Sequence, residues 1–417
     1  MKADRIVKLQ IALLAITFCL SVAHCLSYIY VHMQPLEEEW LSDLLYRYNE
    51  SVCMHEGIDP FEIFERKITS EKYVGHGRPD KPVEPLNGRK IVHSYPAWHA
   101  AVFWWYGYIP KRVCMTIMAG IYLCTLICVC RWTSRKLIAC DHQDHVINIL
   151  FLLITLLYPI CGIFRYLNYG LLLLGCCLLL YFSLERGHDM LAGIIYSFIM
   201  IKPQIGLLLI FPLLFNRKYK TIALAVALCL IETCFTAFML NKSPIELILQ
   251  IPKLGAPYSK GIIAESTMDI VGPAGQYIVM GIFICIAAGG CYLVRNTKEI
   301  WIRFLPVIAF IPFWTYSQPH DWLINLTCYI YLLNNKRKYP RLFDYCIIAV
   351  LFQTFFAFAN IHQWYAIGKE GIAVILHLSI ILICYAIVIL DQDENNTIRN
   401  LFSKLSSSSG NNIENNI

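Results

Sequence analysis

Charge is what this chain has least of. Asp, Glu, Lys and Arg together make up 15% of its 417 residues, against 57% hydrophobic side chains. An ordinary soluble domain carries roughly 25% charged residues, and with a mean hydropathy of +0.53 a water-soluble globular fold is excluded. Blocks of like charge are also missing. The net charge of +6 is modest and sits in short loops, so it reports orientation in a membrane and gives no surface for nucleic acid. The 18 cysteines show no CxxC or zinc-type spacing. Most, such as Cys124, Cys128, Cys176, Cys177, Cys229 and Cys234, lie inside apolar runs, where cysteine acts as a small hydrophobe. No disulfide framework and no metal site is expected. No internal repeat is seen.

What is present is a succession of apolar runs, the mark of an all-α polytopic membrane protein. Lys2, Arg5 and Lys8 precede an apolar run from Ile11 to Val31. Ser21-Val22-Ala23 resembles a signal-peptide cleavage site, but the run continues far enough to span, and an uncleaved first helix is expected. The aromatic run Trp98–Tyr108 is too short to span. It reads as a half-inserted belt at the interface, with Trp98, Trp104 and Trp105 as anchors, leading into a true span at Val113–Cys130. Alternating the later runs from a cytoplasmic N-terminus puts Arg131/Arg135/Lys136, Arg217/Lys218/Lys220 and Lys336/Arg337/Lys338 inside, as the positive-inside rule requires. About twelve spans follow, including a short pair at Met190–Ile201 and Ile205–Phe215. Residues 1–390 form one transmembrane domain, with external loops at 32–95 and 241–275. Residues 391–417, rich in Asn and Ser, form a disordered cytoplasmic tail.

The first external loop holds the most structured polar stretch. Trp40, Leu41, Leu44, Leu45, Tyr48 and Val52 recur at helical spacing, with Glu39, Asp43, Arg47 and Glu50 on the other face. Gly57 and Pro60 end the helix. The spacing predicts an amphipathic helix lying on the membrane, polar face outward, with Asp43 at the interface. Left to itself, Asp43 reads as a solvated partner of Arg47 at i,i+4. Asp59, before a proline, reads as a turn residue. Lys202 interrupts an apolar run and is followed by Pro203; it is a functional candidate or a lysine snorkelling to headgroups. Arg165 near a helix start can bind an anion or anchor the interface. Asp321 reads as a helix cap before Trp322. Two cytoplasmic clusters carry no chemistry: Asp141/His142/Asp144/His145 reads as a helix cap rather than a metal site, and Asp391-Gln392-Asp393 is a chance DxD.

Asp43-Leu44-Leu45-Tyr46, Gly57-Ile58-Asp59-Pro60-Phe61 and Tyr95-Pro96 resemble the first external loop of family 87 glycosyltransferases, GT-C-fold enzymes that use polyprenyl-phosphate sugars. Glu185-Arg186-Gly187, Ala192-Gly193, Lys202-Pro203-Gln204, Pro212 and Arg217 are similar to that family's Arg-Gly…Ala-Gly…Lys-Pro run. Ser317 to Trp322 is similar to its Ser-Pro…Trp…His turn. The chain departs from the pattern at Asn168-Tyr169-Gly170, at Ala97, and in the order of His320 and Trp322. The resemblance implies a GT-C-like bundle of about twelve transmembrane helices and an inverting sugar transfer, mannose first. The donor is a polyprenyl-phosphate sugar and the acceptor a lipid-linked or cell-surface glycan. Both are met on the external, periplasmic side of a bacterial inner membrane. Asp43 is the implied base, Lys202 and Arg165 the phosphate ligands, and His320, Asp59, Tyr95, Gln204 and Asn168 line the substrate site. No cofactor and no metal are expected. Two rival readings fit many spans equally well: a transporter or lipid-carrier flippase, which usually shows two related halves, and a ligase of whole glycans, whose key residues belong in a later loop such as 241–275.

Overall fold

The computed structural model describes residues 2–33, 42–62, 95–166, 168–255, 262–314, 319–359 and 367–392. The Glu37–Glu39 triplet, Trp40, Leu41, Ser317, Gln318, residues 63–94 and those beyond Gln392 lie outside them. Among the described residues the chain is all helical. In order these are α1 (Lys2–Met33), α2 (Ser42–His55), α3 (Ala97–Phe103) running into a 3-10 turn (Trp104–Tyr108), α4 (Lys111–Lys136), α5 (His142–Tyr166), α6 (Gly170–Glu185), α7 (Asp189–Ile199), α8 (Pro203–Gly206), α9 (Ile210–Phe215), α10 (Tyr219–Met239), α11 (Pro244–Gly255), α12 (Ile262–Leu293), α13 (Ile300–Trp314), a second 3-10 turn (Pro319–Asn325), α14 (Leu326–Asn335), α15 (Pro340–Ala359) and α16 (Ile367–Gln392).

A helix apolar on every side is buried on every side or faces lipid, and both kinds are present. Helix α6, which reads Gly-Leu-Leu-Leu-Leu-Gly-Cys-Cys, is buried along nearly its whole length, as are α13 from Phe304 to Ile311 and the stretch from Trp322 to Leu333. These form the centre. Helix α4 keeps Val113, Ile117, Ile121, Leu123 and Ile127 exposed, and α10 keeps Val226, Leu230, Ile231 and Phe238 exposed. Such faces suit lipid. Three described segments are long and apolar enough to cross a membrane: Ile6–Ala23, Lys111–Lys136 and Tyr219–Met239, with shorter apolar helices between. The protein is therefore a helical membrane protein.

Local chemistry sets the element ends. Gly57, at φ +72°, closes α2: its N–H bonds to Met54 O, and the Ile58 N–H bonds to Cys53 O at 2.8 Å, a glycine-dependent C-terminal motif. Asp141 caps α5 by accepting from the Asp144 N–H at 2.8 Å, and Asp144 reaches back to the Cys140 N–H. This reciprocal box bears out the capping reading of that cluster. Asp391 accepts from Tyr331 Oη at 2.7 Å and pairs with Lys338, which ties the end of α16 to α14.

Two expectations need correction. The Met190–Ile201 and Ile205–Phe215 runs are not two full spans. Helix α7 has 11 residues and rises about 16 Å, half of a roughly 30 Å hydrocarbon layer; the return is broken into α8 and α9. The Lys218 ammonium meets the Asp189 carboxylate at 2.8 Å, so the two ends of this hairpin lie side by side. Nor is the Trp98–Tyr108 run a plain interfacial belt. His99, Phe103 and Tyr106 are buried in protein, and Trp98 Nε1 donates to Met200 O at 2.9 Å, which holds the tip of the hairpin.

Candidate active site

Helix α2 supplies Asp43 in its first turn. Its orientation is the reverse of the expected one. Arg47 and Glu50, the expected water-facing residues, are 4% and 3% exposed, on one face with Leu44, Ser51 and Met54, whereas Tyr48 and Val52 are only half-buried. The polar stripe points into the protein. Ser51 fixes this docking: its hydroxyl donates to Trp104 O at 2.6 Å and accepts from the Gly107 N–H at 2.9 Å. Tyr48 Oη reaches Ile109 O, and His55 Nε2 lies 3.0 Å from Trp104 O.

Asp43 does not pair with Arg47. Arg47 Nη1 donates to Glu50 Oε2 at 2.6 Å, and its guanidinium lies 4.7 Å over the Tyr95 ring. Burial works against the Arg47 charge, but Glu50 foremost, with Tyr95, Tyr169 and Asp43, holds its pKa above the ordinary value. Burial, and after it the Asp43 charge, pushes the Tyr95 phenol well up, so Tyr95 stays protonated. Tyr95 stacks on His99 at 4.5 Å, and His99 Nε2 lies 3.4 Å from Tyr169 Oη. Arg47, Glu50, Ser51, Met54, Pro60, His99, Ala100 and Phe103 line a hollow of roughly one water's size.

Asp43 Oδ2 instead accepts from Asn168 Nδ2. Asn168 Oδ1 accepts from Lys202 Nζ at 2.9 Å, and Lys202 Nζ donates to Asp321 Oδ1 at 2.5 Å. Four side chains from four distant segments thus form one string: base candidate, amide, ammonium, second carboxylate. The Lys202 and Asp321 side chains are 3% and 2% exposed. An ammonium has three N–H donors, so one remains beyond those given to Asn168 and Asp321. Lys202 sits at the hairpin tip because Pro203 opens α8 there, with φ fixed and no N–H to lose. Among the described residues, Asp43, Glu50 and Asp321 face Arg47 and Lys202, three carboxylates against two cations.

The other expected site residues divide. Tyr95 lies beside Asp43 and Arg47, and Gln204 follows Lys202 in α8. Asp59 is apart: its Oδ1 accepts from the Phe61 N–H at 2.8 Å, and its carboxylate pairs with Lys242. That is the turn residue read from Asp-Pro, now holding the start of α11. Arg165 lies in the last turn of α5, the opposite end from an anion-binding helix start, and His320 lies in the second 3-10 turn next to Asp321; both side chains are outside the described residues. Sequence reasoning missed the roles of Asp321 and Glu50. For Asp321 the available signal was an acidic residue just ahead of the run from Trp322, which in a membrane protein demands a partner; Glu50, in the polar stretch from Arg47 to Ser51, carried none. No group of three or more His, Cys, Asp or Glu side chains able to hold a metal occurs among the described residues.

No curated protein and no solved structure matches the chain. A family model does match, over residues 93–247: glycosyltransferase family 87. That stretch begins two residues before Tyr95 and contains Asn168, the whole α7–α9 hairpin and Lys202. The match covers less than half of the chain; over the stretch that builds the buried string the protein is similar to that family, which indicates an enzyme, a membrane glycosyltransferase.

Proposed function

We propose that the protein transfers a sugar, mannose first, from a polyprenyl-phosphate donor to a hydroxyl of a lipid-linked or cell-surface glycan. The reaction takes place at the external face of a GT-C-like helical bundle, in a bacterial inner membrane. The observation that carries this reading is the Asp43–Asn168–Lys202 string: a carboxylate one amide away from a buried ammonium. A phosphate is already a good leaving group, so the transfer needs one base and one cation and no general acid. The acceptor O–H gives its proton to Asp43. Its oxygen attacks the anomeric carbon from the side opposite the phosphate. The bond from that carbon to the phosphate oxygen breaks, its electron pair leaves with polyprenyl phosphate, and the configuration inverts. Lys202 meets the charge that grows on the leaving phosphate through its remaining N–H, with Arg165 as the second phosphate ligand and His320, Tyr95 and Gln204 shaping the acceptor side.

The test is turnover of a synthetic polyprenyl-phosphate mannose by the purified protein, wild type beside Asp43→Asn. Polyprenyl phosphate is expected from the first, with a loss of at least about 100-fold in the second. Equal release by both removes Asp43 from the mechanism; no release from any polyprenyl-phosphate sugar removes the donor class.

A further inference from the structure

Asp43 is joined to the rest of the cluster by one atom only. Oδ2 accepts from Asn168; among the described residues Oδ1 accepts no hydrogen bond. Asn168 is held from three other directions. Its Oδ1 accepts from Lys202 Nζ at 2.9 Å and from the Gly170 N–H at 3.2 Å, and its backbone carbonyl accepts from Tyr122 Oη at 2.8 Å. It is 3% exposed, at the entry to α6.

The chemistry fixes which way round the amide sits. A carboxylate needs a donor and an ammonium needs an acceptor. An amide offers one of each on a planar frame, so it can lie between Asp43 and Lys202 in a single orientation. A carboxylate at 168 would repel Asp43. An apolar side chain would leave the buried Lys202 with one bond fewer and leave the base free to rotate about χ2.

We propose that Asn168 is the positioning residue of the base. It anchors Asp43 through Oδ2, so that Oδ1 is the oxygen that takes the acceptor's proton, and the Lys202 ammonium strengthens that anchor by polarising the amide. The inference rests on the reading of Asp43 as base and adds to it a division of labour between its two oxygens. It also joins the two substrates. A donor phosphate that draws on the Lys202 charge weakens the pull on Asn168 Oδ1, and the Asn168 N–H then becomes a weaker donor to Asp43. More of the Asp43 negative charge is then left for the acceptor's O–H. Acceptor deprotonation follows donor binding.

Among the described residues these titratable and charged groups lie around Asp43 and set this balance. They are Arg47 and Glu50 on α2, Tyr95 ahead of α3 with His99 behind it, Tyr122 on α4, Tyr169 before α6, and Lys202 and Asp321 through the amide.

The experiment measures kcat, donor KM and the pH profile of kcat for the full chain in lipid nanodiscs. The wild type, Asn168→Ala, Asn168→Asp and Asp43→Asn are compared on a polyprenyl-phosphate sugar. Asn168→Ala is expected to lower kcat about 10- to 100-fold with donor KM within about threefold. The acid limb of kcat moves up by about one pH unit, because Asp43 loses its donor. In Asn168→Asp, two neighbouring carboxyls share a proton and the limb moves up further. A purely structural role would lower the amount of active enzyme and leave the limb in place. If Asp43→Asn is inactive while both Asn168 variants keep the wild-type acid limb, the positioning role is overturned and the base stands. If Asp43→Asn is active, the reading beneath it is overturned first.

Discussion

Removing Asp321 alone should cost far more stability than removing it together with Lys202, with the same consequence for catalysis. The pair is at 2.5 Å with both side chains at most 3% exposed, so neither charge can turn to water when the other is lost. Breaking a buried pair by deleting one partner costs about 3–5 kcal/mol, whereas replacing both with apolar groups of similar volume is often neutral or stabilising. Asp321→Ala strands the ammonium, which keeps only Asn168 Oδ1. The folding constant should fall by about two to three and a half orders of magnitude, at about 1.4 kcal/mol per tenfold. Lys202→Met with Asp321→Leu fills the same space without charge and should recover most of that loss. Turnover should be lost in both, because the leaving phosphate loses the Lys202 ammonium in the double variant and meets a displaced one in the single. The assay is an unfolding titration in detergent micelles beside donor turnover on the same preparations. A single variant within about 1 kcal/mol of wild type, or a double variant as unstable as the single, would refute the argument from burial. An active double variant would remove Lys202 from phosphate binding.

Two further outcomes follow from packing and titration. A Cβ at Gly175 would meet Thr125 Cγ2 at 2.5 Å, and a β-branched neighbour has little room to give. Gly175→Leu should part α4 from α6, cost about 1–3 kcal/mol and lower the melting temperature, while Gly120→Leu, which faces open space, should leave it near wild type. Burial opposes ionisation of Glu299, but hydrogen bonds from Lys136 at 2.8 Å and from Trp301, with the Lys136 charge, hold its pKa below the ordinary 4.5. A lowered folded pKa contributes stability above the ordinary value and loses it as pH falls through the folded one. Unfolding midpoints measured downward from about pH 6 should therefore drop less in Glu299→Gln than in wild type.

The helical membrane class, the α2 stop at Gly57, the Asp141 cap, the turn at Asp59 and the break at Lys202-Pro203 were all legible in the sequence, because each depends on residues within a few positions of one another. The inward stripe of α2 was not. The spacing of apolar and charged residues assigns the charged face of a helix to water, and here Arg47 and Glu50 pair with each other and turn to the interior, leaving Tyr48 and Val52 at the rim. Asp321 misled for a different reason. As a cap it satisfied every local rule, and its partner lies 119 residues away. Asn168 stood out only as a departure from a family pattern, and its meaning comes from two neighbours, 125 and 34 residues distant. The hairpin was counted as two short spans because apolarity does not tell a short helix that crosses from one that turns back.

That hairpin has one more consequence. Because Asp189 and Lys218 stand side by side, the chain leaves and re-enters at the same level, and the element contributes nothing to the parity of crossings. Every loop after Tyr219 keeps its side of the bilayer whether the segment is counted as zero passes or two. The tip that carries Lys202 can therefore lengthen, shorten or be exchanged as a cassette without turning the rest of the protein over.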